Sequence, residues 1–167
     1  MILLIGNFLS KHGLNPTAIE DLALSLSEKY TIVTASDKLN SLHRLWDMIC
    51  CIVKHRKSCK LIIVDVFSTN AFIYSALVIQ LARIFKIRFH PVFRGGYLAE
   101  KYKKYPKIFH YLFQSPVVSI CPSMFFLEKF KHGPFYMKLI PNYISLEEYP
   151  YKKRQQFYPK VLWVRSI

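Results

Sequence analysis

Acidic residues are scarce in this 167-residue chain: 10 Asp and Glu stand against 24 Lys and Arg, a formal net charge of +14. Such a field attracts anionic partners: nucleic acid, an acidic lipid surface or a phosphorylated substrate. Cysteine is sparse too. Cys50, Cys51, Cys59 and Cys121 form no C-x-x-C pair and have no His at zinc spacing, so they read as reduced thiols or small buried hydrophobes, and no metal is expected. Long apolar runs are missing. The longest stretch, "AFIYSALVIQLARIF", is interrupted by Gln80 and Arg83 and falls short of the ~20 residues that a spanning helix needs. The opening "MILLIGNF" has no basic leader segment, so no signal peptide is expected and any lipid contact would be peripheral. None of the five glycines falls in a G-x-G-x-x-G pattern, which removes the dinucleotide fingerprint, and no G-x-S-x-G elbow supports a small α/β hydrolase.

What the chain does have is hydrophobic residues, 52% of the total, with 16% aromatic. That is enough for a folded core and, at this length, for one domain. Tyr and Trp beside Lys suit a membrane interface as well as stacking on single-stranded bases; lipid ranks ahead of nucleic acid.

Short β-branched runs alternate with longer helical patterns. Strands are expected at residues 2–5, 30–34, 61–66, 88–92, 117–121, 138–140 and 160–164, and helices at 17–29, 42–56, 70–85, 107–113 and 123–132. The run Leu61-Ile62-Ile63-Val64 is continuously apolar rather than alternating, which implies burial on both faces of a parallel sheet. The expected fold class is therefore α/β, a doubly wound, Rossmann-like, mostly parallel sheet. Ligands of such sheets bind outside the carboxyl ends of the strands, so the loops that follow strands are the ones to read.

After the first strand, "GNFLSKHGLNPTA" places Gly6 and Gly13 around a loop that runs into a helix start, suited either to a phosphate or substrate or to a plain connection. After the fourth, "PVFRGGYL" sets the donor fork of Arg94 beside Gly95 and Gly96, a construction for gripping phosphate or sugar oxygens, with a plain glycine turn as the other reading. Asp65, at the end of the third strand, reads as a ligand-facing carboxylate or as a helix-capping or loop residue. Lys101, Lys103, Lys104 and Lys107 interleave with tyrosines and phenylalanines, a pattern for anionic headgroups or a solvated basic face. His90 and His110 read as structural or surface residues. Glu20 and Glu28 have the E-x7-E spacing of sugar-nucleotide transferases, but both are expected on the solvent side of the first helix as surface charges.

The ordered segments "ILLIGNF", "LIIVDVFST", "PVFRGGYL", "SICPSMFFLEKF", "KLIPNYISLEEY" and "PKVLWVRSI" together resemble the amino-terminal half of GT-B glycosyltransferases of family 4, of the bacterial polysaccharide and lipopolysaccharide type. The resemblance runs over essentially the whole chain. It implies a Rossmann-like acceptor-side domain over residues 1–144, an interdomain linker over 145–159, and in 160–167 the first strand of a carboxyl-terminal domain missing from this chain. It further implies transfer of a sugar from a nucleotide-sugar donor to a glycan or lipid-linked acceptor, without metal or other cofactor, in the cytoplasm and peripherally on the inner face of the membrane. By this match Gly6, Asn7, Phe8, Gly13, Arg94, Gly95, Gly96, Ser123 and Asn142 line the acceptor cleft, Arg165 borders the donor phosphates, and Lys101, Lys103, Lys104 and Lys107 face an anionic membrane. The missing half would carry most of the donor site, so the chain is expected to be inactive alone, as a truncated product or with a separate chain supplying that half. The alternative is a basic α/β module that binds anionic lipid or RNA without catalysis.

Overall fold

The computed structural model describes residues 1–114, 118–133 and 135–142, together with residue 153. Six strands, β1 (Ile2–Ile5), β2 (Ile32–Ala35), β3 (Leu61–Val66), β4 (Arg88–Phe93), β5 (Val118–Cys121) and β6 (Tyr136–Leu139), form one sheet in the order β2-β1-β3-β4-β5-β6. Every adjacent pair is parallel. The helices are α1 (Ala18–Ser27), α2 (Ser41–His55), α3 (Ala71–Ile84), α4 (Leu98–Lys104), α5 (Pro106–Phe113) and α6 (Met124–Phe130), with a 3-10 turn at Ser10–His12. The expected doubly wound α/β fold is what the chain adopts. The strand expected at 160–164, the linker 145–159 and Arg165 lie outside the described residues.

Period-two side-chain alternation divides the core in two. Leu3, Ile5, Ile62, Val64 and Phe93 point to one face, which α2, α3, α4, α5 and α6 cover. Leu4, Ile63 and Val92 point to the other, where Ile19 of α1 is buried among them. β1 and β3 are buried on both sides, which explains the unbroken apolar runs of residues 2–5 and 61–64.

Aromatic packing fixes the right-hand half of the sheet. Phe93, the last residue of β4, lies 5.0 Å from Phe113 of α5 and 5.2 Å from Phe130 of α6, both edge to face. Such pairs contribute about 0.5–1.5 kcal/mol each beyond their buried area. Anchoring Phe93 also fixes where the next residue, Arg94, leaves the sheet.

Two differences from the sequence-based expectations have local causes. Helix α4 was not expected, because its seven residues are mostly Lys and Tyr; Leu98 and Ala99 alone bury into the core. β6 begins two residues earlier than expected, since Tyr136 to Leu139 pair in register with Val118 to Cys121.

Candidate functional site

The chain leaves β1 for β2 on one side and crosses to β3 on the other, so the topological switch point of the sheet lies between β1 and β3. Loops on either side of such a point diverge and open a crevice at the carboxyl edge. Gly6 follows β1 there, and Asp65 is the penultimate residue of β3. A side chain at Gly6 would bring a Cβ to 3.0 Å from Ile19 and 3.3 Å from Asp65 Oδ2. The glycine lets α1 and the carboxylate close in from two sides.

Asp65 is buried, and its Oδ1 accepts from Arg94 Nε at 3.0 Å. Burial pushes the Asp65 carboxyl above the usual carboxylate range, while the charge and hydrogen bond of Arg94 pull the other way. Arg94 Nη1 donates to Asn142 Oδ1, just beyond β6, and among the described residues Nη2 has no partner. A guanidinium held along one edge presents its remaining N–H groups in a fixed direction, which suits an anionic or hydroxyl-rich ligand.

Gly95 is required by a close approach. A Cβ there would lie 2.5 Å from Ser68 N and 2.6 Å from Ser68 Oγ, so the loop after β3 rests directly on it. Lys101 reinforces that contact: its Nζ donates to Ser68 O at 2.9 Å and lies 4.6 Å from the Phe72 ring centroid. Lys101 therefore braces the loop, while Lys103, Lys104 and Lys107 are exposed.

The backbone of the loop after β1 is stitched to its surroundings. Gly6 N donates to Ala35 O, Ser36 N to Gly6 O, and Phe8 N to Ser36 O. Asn7 Oδ1 accepts from Arg44 Nη1 at 3.0 Å, and Asn7 O accepts from Thr17 Oγ1. The expectation that Glu20 is a free surface charge is corrected here. Its carboxylate accepts from Ser10 N at 3.1 Å and Thr17 N at 2.6 Å, closing the start of α1 that an anion would otherwise use. Burial raises the Glu20 pKa, but these hydrogen bonds outweigh it and the carboxyl ends below its ordinary value. Glu28 is exposed, as expected.

Among the expected cleft residues, Gly6 and Arg94 meet at Asp65 and Asn142 joins through Arg94, while Gly95 packs against Ser68. Asn7 and Phe8 belong to the stitched loop. Gly13 is a left-handed turn residue, φ 78°, that ends the 3-10 segment, and both it and Gly96 have open space where a Cβ would be. Ser123 starts α6 without a side-chain cap bond. His90 is within hydrogen-bond distance of Val118 O and His110 of Tyr102 Oη. Among the described residues no group of three or more His, Cys, Asp or Glu is placed to hold a metal ion.

At the switch point itself the remaining space is a cavity of about 10 Å³ between Gly6, Asp65 and Ser75, room for one water. The larger cavity, about 410 Å³, lies toward β2 and is lined by Phe8, Ser10, Lys11, Thr34, Asp37 and Asp47, among others. Sequence reasoning found only Phe8 of these, because the lining comes from four separate segments. Among the described residues no helix is long and apolar enough to cross a membrane. Compared with family models, curated proteins and solved structures, the chain matches none of them.

Proposed function

We propose that this chain is the acceptor-binding domain of a glycosyltransferase, one that receives a glycan or lipid-linked acceptor to which a nucleotide sugar donates. The observation that carries this reading is the convergence of Gly6, Asp65, Arg94 and Asn142 at the carboxyl edge of the sheet. Gly6, Arg94 and Asn142 are among the residues that the family resemblance assigns to the cleft, Asp65 was read only from its place at a strand end, and the oriented guanidinium is suited to a phosphate or to sugar oxygens. The neighbouring cavity supports the same class of ligand: carboxylates and hydroxyls of Asp37, Asp47, Ser10 and Thr34 surround the apolar Phe8, a combination fitted to a sugar ring and its hydroxyls.

Transfer from a diphosphate donor needs both reactants positioned and the leaving group neutralised. Among the described residues the crevice offers one guanidinium, already engaged by Asp65 on one edge. On this reading the chain by itself binds acceptor without turning over donor. Titration of the purified chain with lipid-linked oligosaccharides, followed by ligand-observed NMR, is expected to show binding that Arg94→Lys weakens by about tenfold, since Lys keeps the charge but loses the fork. Release of nucleotide from any sugar donor by the chain alone, or preference for single-stranded RNA over every glycan, would overturn the reading.

A further inference from the structure

The cavity of about 410 Å³ opens where β2, the end strand of the sheet order, stops. Helices α1 and α2 cover opposite faces of the sheet, and both reach this space, α1 with Ala23 and Leu24 and α2 with Asp47. Its volume is that of a small-ligand pocket, since these begin at about 300 Å³.

Three carboxylates line it, and two of them are already engaged. Glu20 accepts from Ser10 N and Thr17 N, and Asp37 Oδ1 lies 3.0 Å from Lys38 Nζ. Asp47 differs. It is half-buried and, among the described residues, has neither an ion pair nor a hydrogen bond, on a chain where basic residues outnumber acidic ones 24 to 10. Lys11, also in the wall, is exposed on the 3-10 turn and makes no pair with it. A carboxylate only accepts, and a cationic N–H donor satisfies it best.

The rest of the lining describes what carries that cation. Phe8, Ala23 and Leu24 form an apolar wall, Leu24 being 71% exposed. Thr34 supplies polar groups. Ile2 N donates to Thr31 O and Gly6 N to Ala35 O, so alternate residues of β2 turn toward β1, and Thr34, between them, directs its main-chain N–H and C=O away from it. A bare metal ion would leave the apolar wall unused, and a plain alkyl amine would leave Thr34 unused.

We infer that the cavity takes a sugar ring bearing a free amino group, with its ammonium on Asp47, its hydroxyls on Thr34 and its C–H face on Phe8 and Leu24. The choice of a sugar rests on the acceptor reading above. The amine goes beyond that reading, because an N-acetylated or unaminated ring brings no cation to Asp47.

Saturation-transfer NMR of the full chain with glucosamine, N-acetylglucosamine, glucose and putrescine, at a pH that keeps the amines protonated, tests this. Glucosamine is expected to bind more tightly than each of the others by about tenfold, the scale of one charged hydrogen bond. Asp47→Asn, nearly isosteric and checked by circular dichroism, should bring glucosamine down to the level of glucose. Leu24→Ser, at an exposed position, should weaken all three sugars together. Glucose, N-acetylglucosamine or putrescine binding as well as glucosamine, or a preference for glucosamine that survives Asp47→Asn, would overturn the inference. Its failure and that of the acceptor reading are separable. Lipid-linked oligosaccharides that bind, and that Arg94→Lys weakens, while glucosamine gains nothing over glucose would remove the amine site alone; glucosamine binding without any oligosaccharide binding would remove the acceptor reading and keep the amine site.

Discussion

Asp65 and Arg94 are 29 residues apart in sequence, but parallel pairing of β3 with β4 sets Asp65 beside Val92 and so brings the two charges to 3.0 Å. Both are largely buried, their side chains exposed by 3% and 13%. In such a place the cost of removing one partner exceeds the net worth of the pair, because the survivor is left as an uncompensated charge. Arg94→Met should therefore destabilise the domain by about 3–5 kcal/mol, and Asp65→Asn combined with Arg94→Met by much less than those two single substitutions summed. Urea unfolding of the four proteins in a double-mutant cycle measures this, and additive losses would show that the pair is not coupled. Each residue was legible as a candidate from its place at a strand end. Their pairing was not, since it depends on strand register, which no local pattern encodes. Asp65 accordingly stood open between ligand-facing carboxylate and helix cap, and proves to be neither alone: it orients the guanidinium that faces the crevice.

Element boundaries were most legible where the apolar pattern was strongest. β1 and β3 fall where the runs of Ile, Leu and Val placed them, while α4 was hidden because only Leu98 and Ala99 of its seven residues are buried. The start of α1 shows how a spacing misleads. Glu20 stands eight residues before Glu28, like a donor-binding motif, but its carboxylate ties the amides of Ser10 and Thr17 and so fastens the β1 loop to the helix. Because the folded-state pKa of Glu20 is lowered, the stability it contributes is present above its unfolded pKa and is lost as pH falls through the folded value. Glu20→Gln is expected to cost about 1 kcal/mol at neutral pH, the usual scale for a helix cap, and the gap between variant and wild type should close as the solution is acidified. Thermal melts across the acid range check the sign; a gap that stays constant down to low pH would mean that the charge of the carboxylate contributes nothing to the cap.

For the whole molecule, the sheet class was legible because a strand buried on both faces reads as a continuous apolar run, as Ile2–Ile5 of β1 and Leu61 to Val64 of β3 do. The large cavity near β2 was not legible, since it arises from segments that only the fold brings side by side. The charge balance acts at the same scale. Beside a net charge of +14, the described residues form two ion pairs, the exposed Lys38–Asp37 contact and the buried Asp65–Arg94 pair. Added salt screens repulsion between surface lysines over a Debye length of about 10 Å at 0.1 M, while the buried pair is hardly screened. Screening thus removes more repulsion than attraction, and the melting temperature should rise when sodium chloride is increased from low to physiological levels. Chloride in this range acts mainly through screening, so the rise should level off once the Debye length falls below the spacing of the lysines. A melting temperature that instead falls over the same range would show that attractive surface contacts outweigh the net charge.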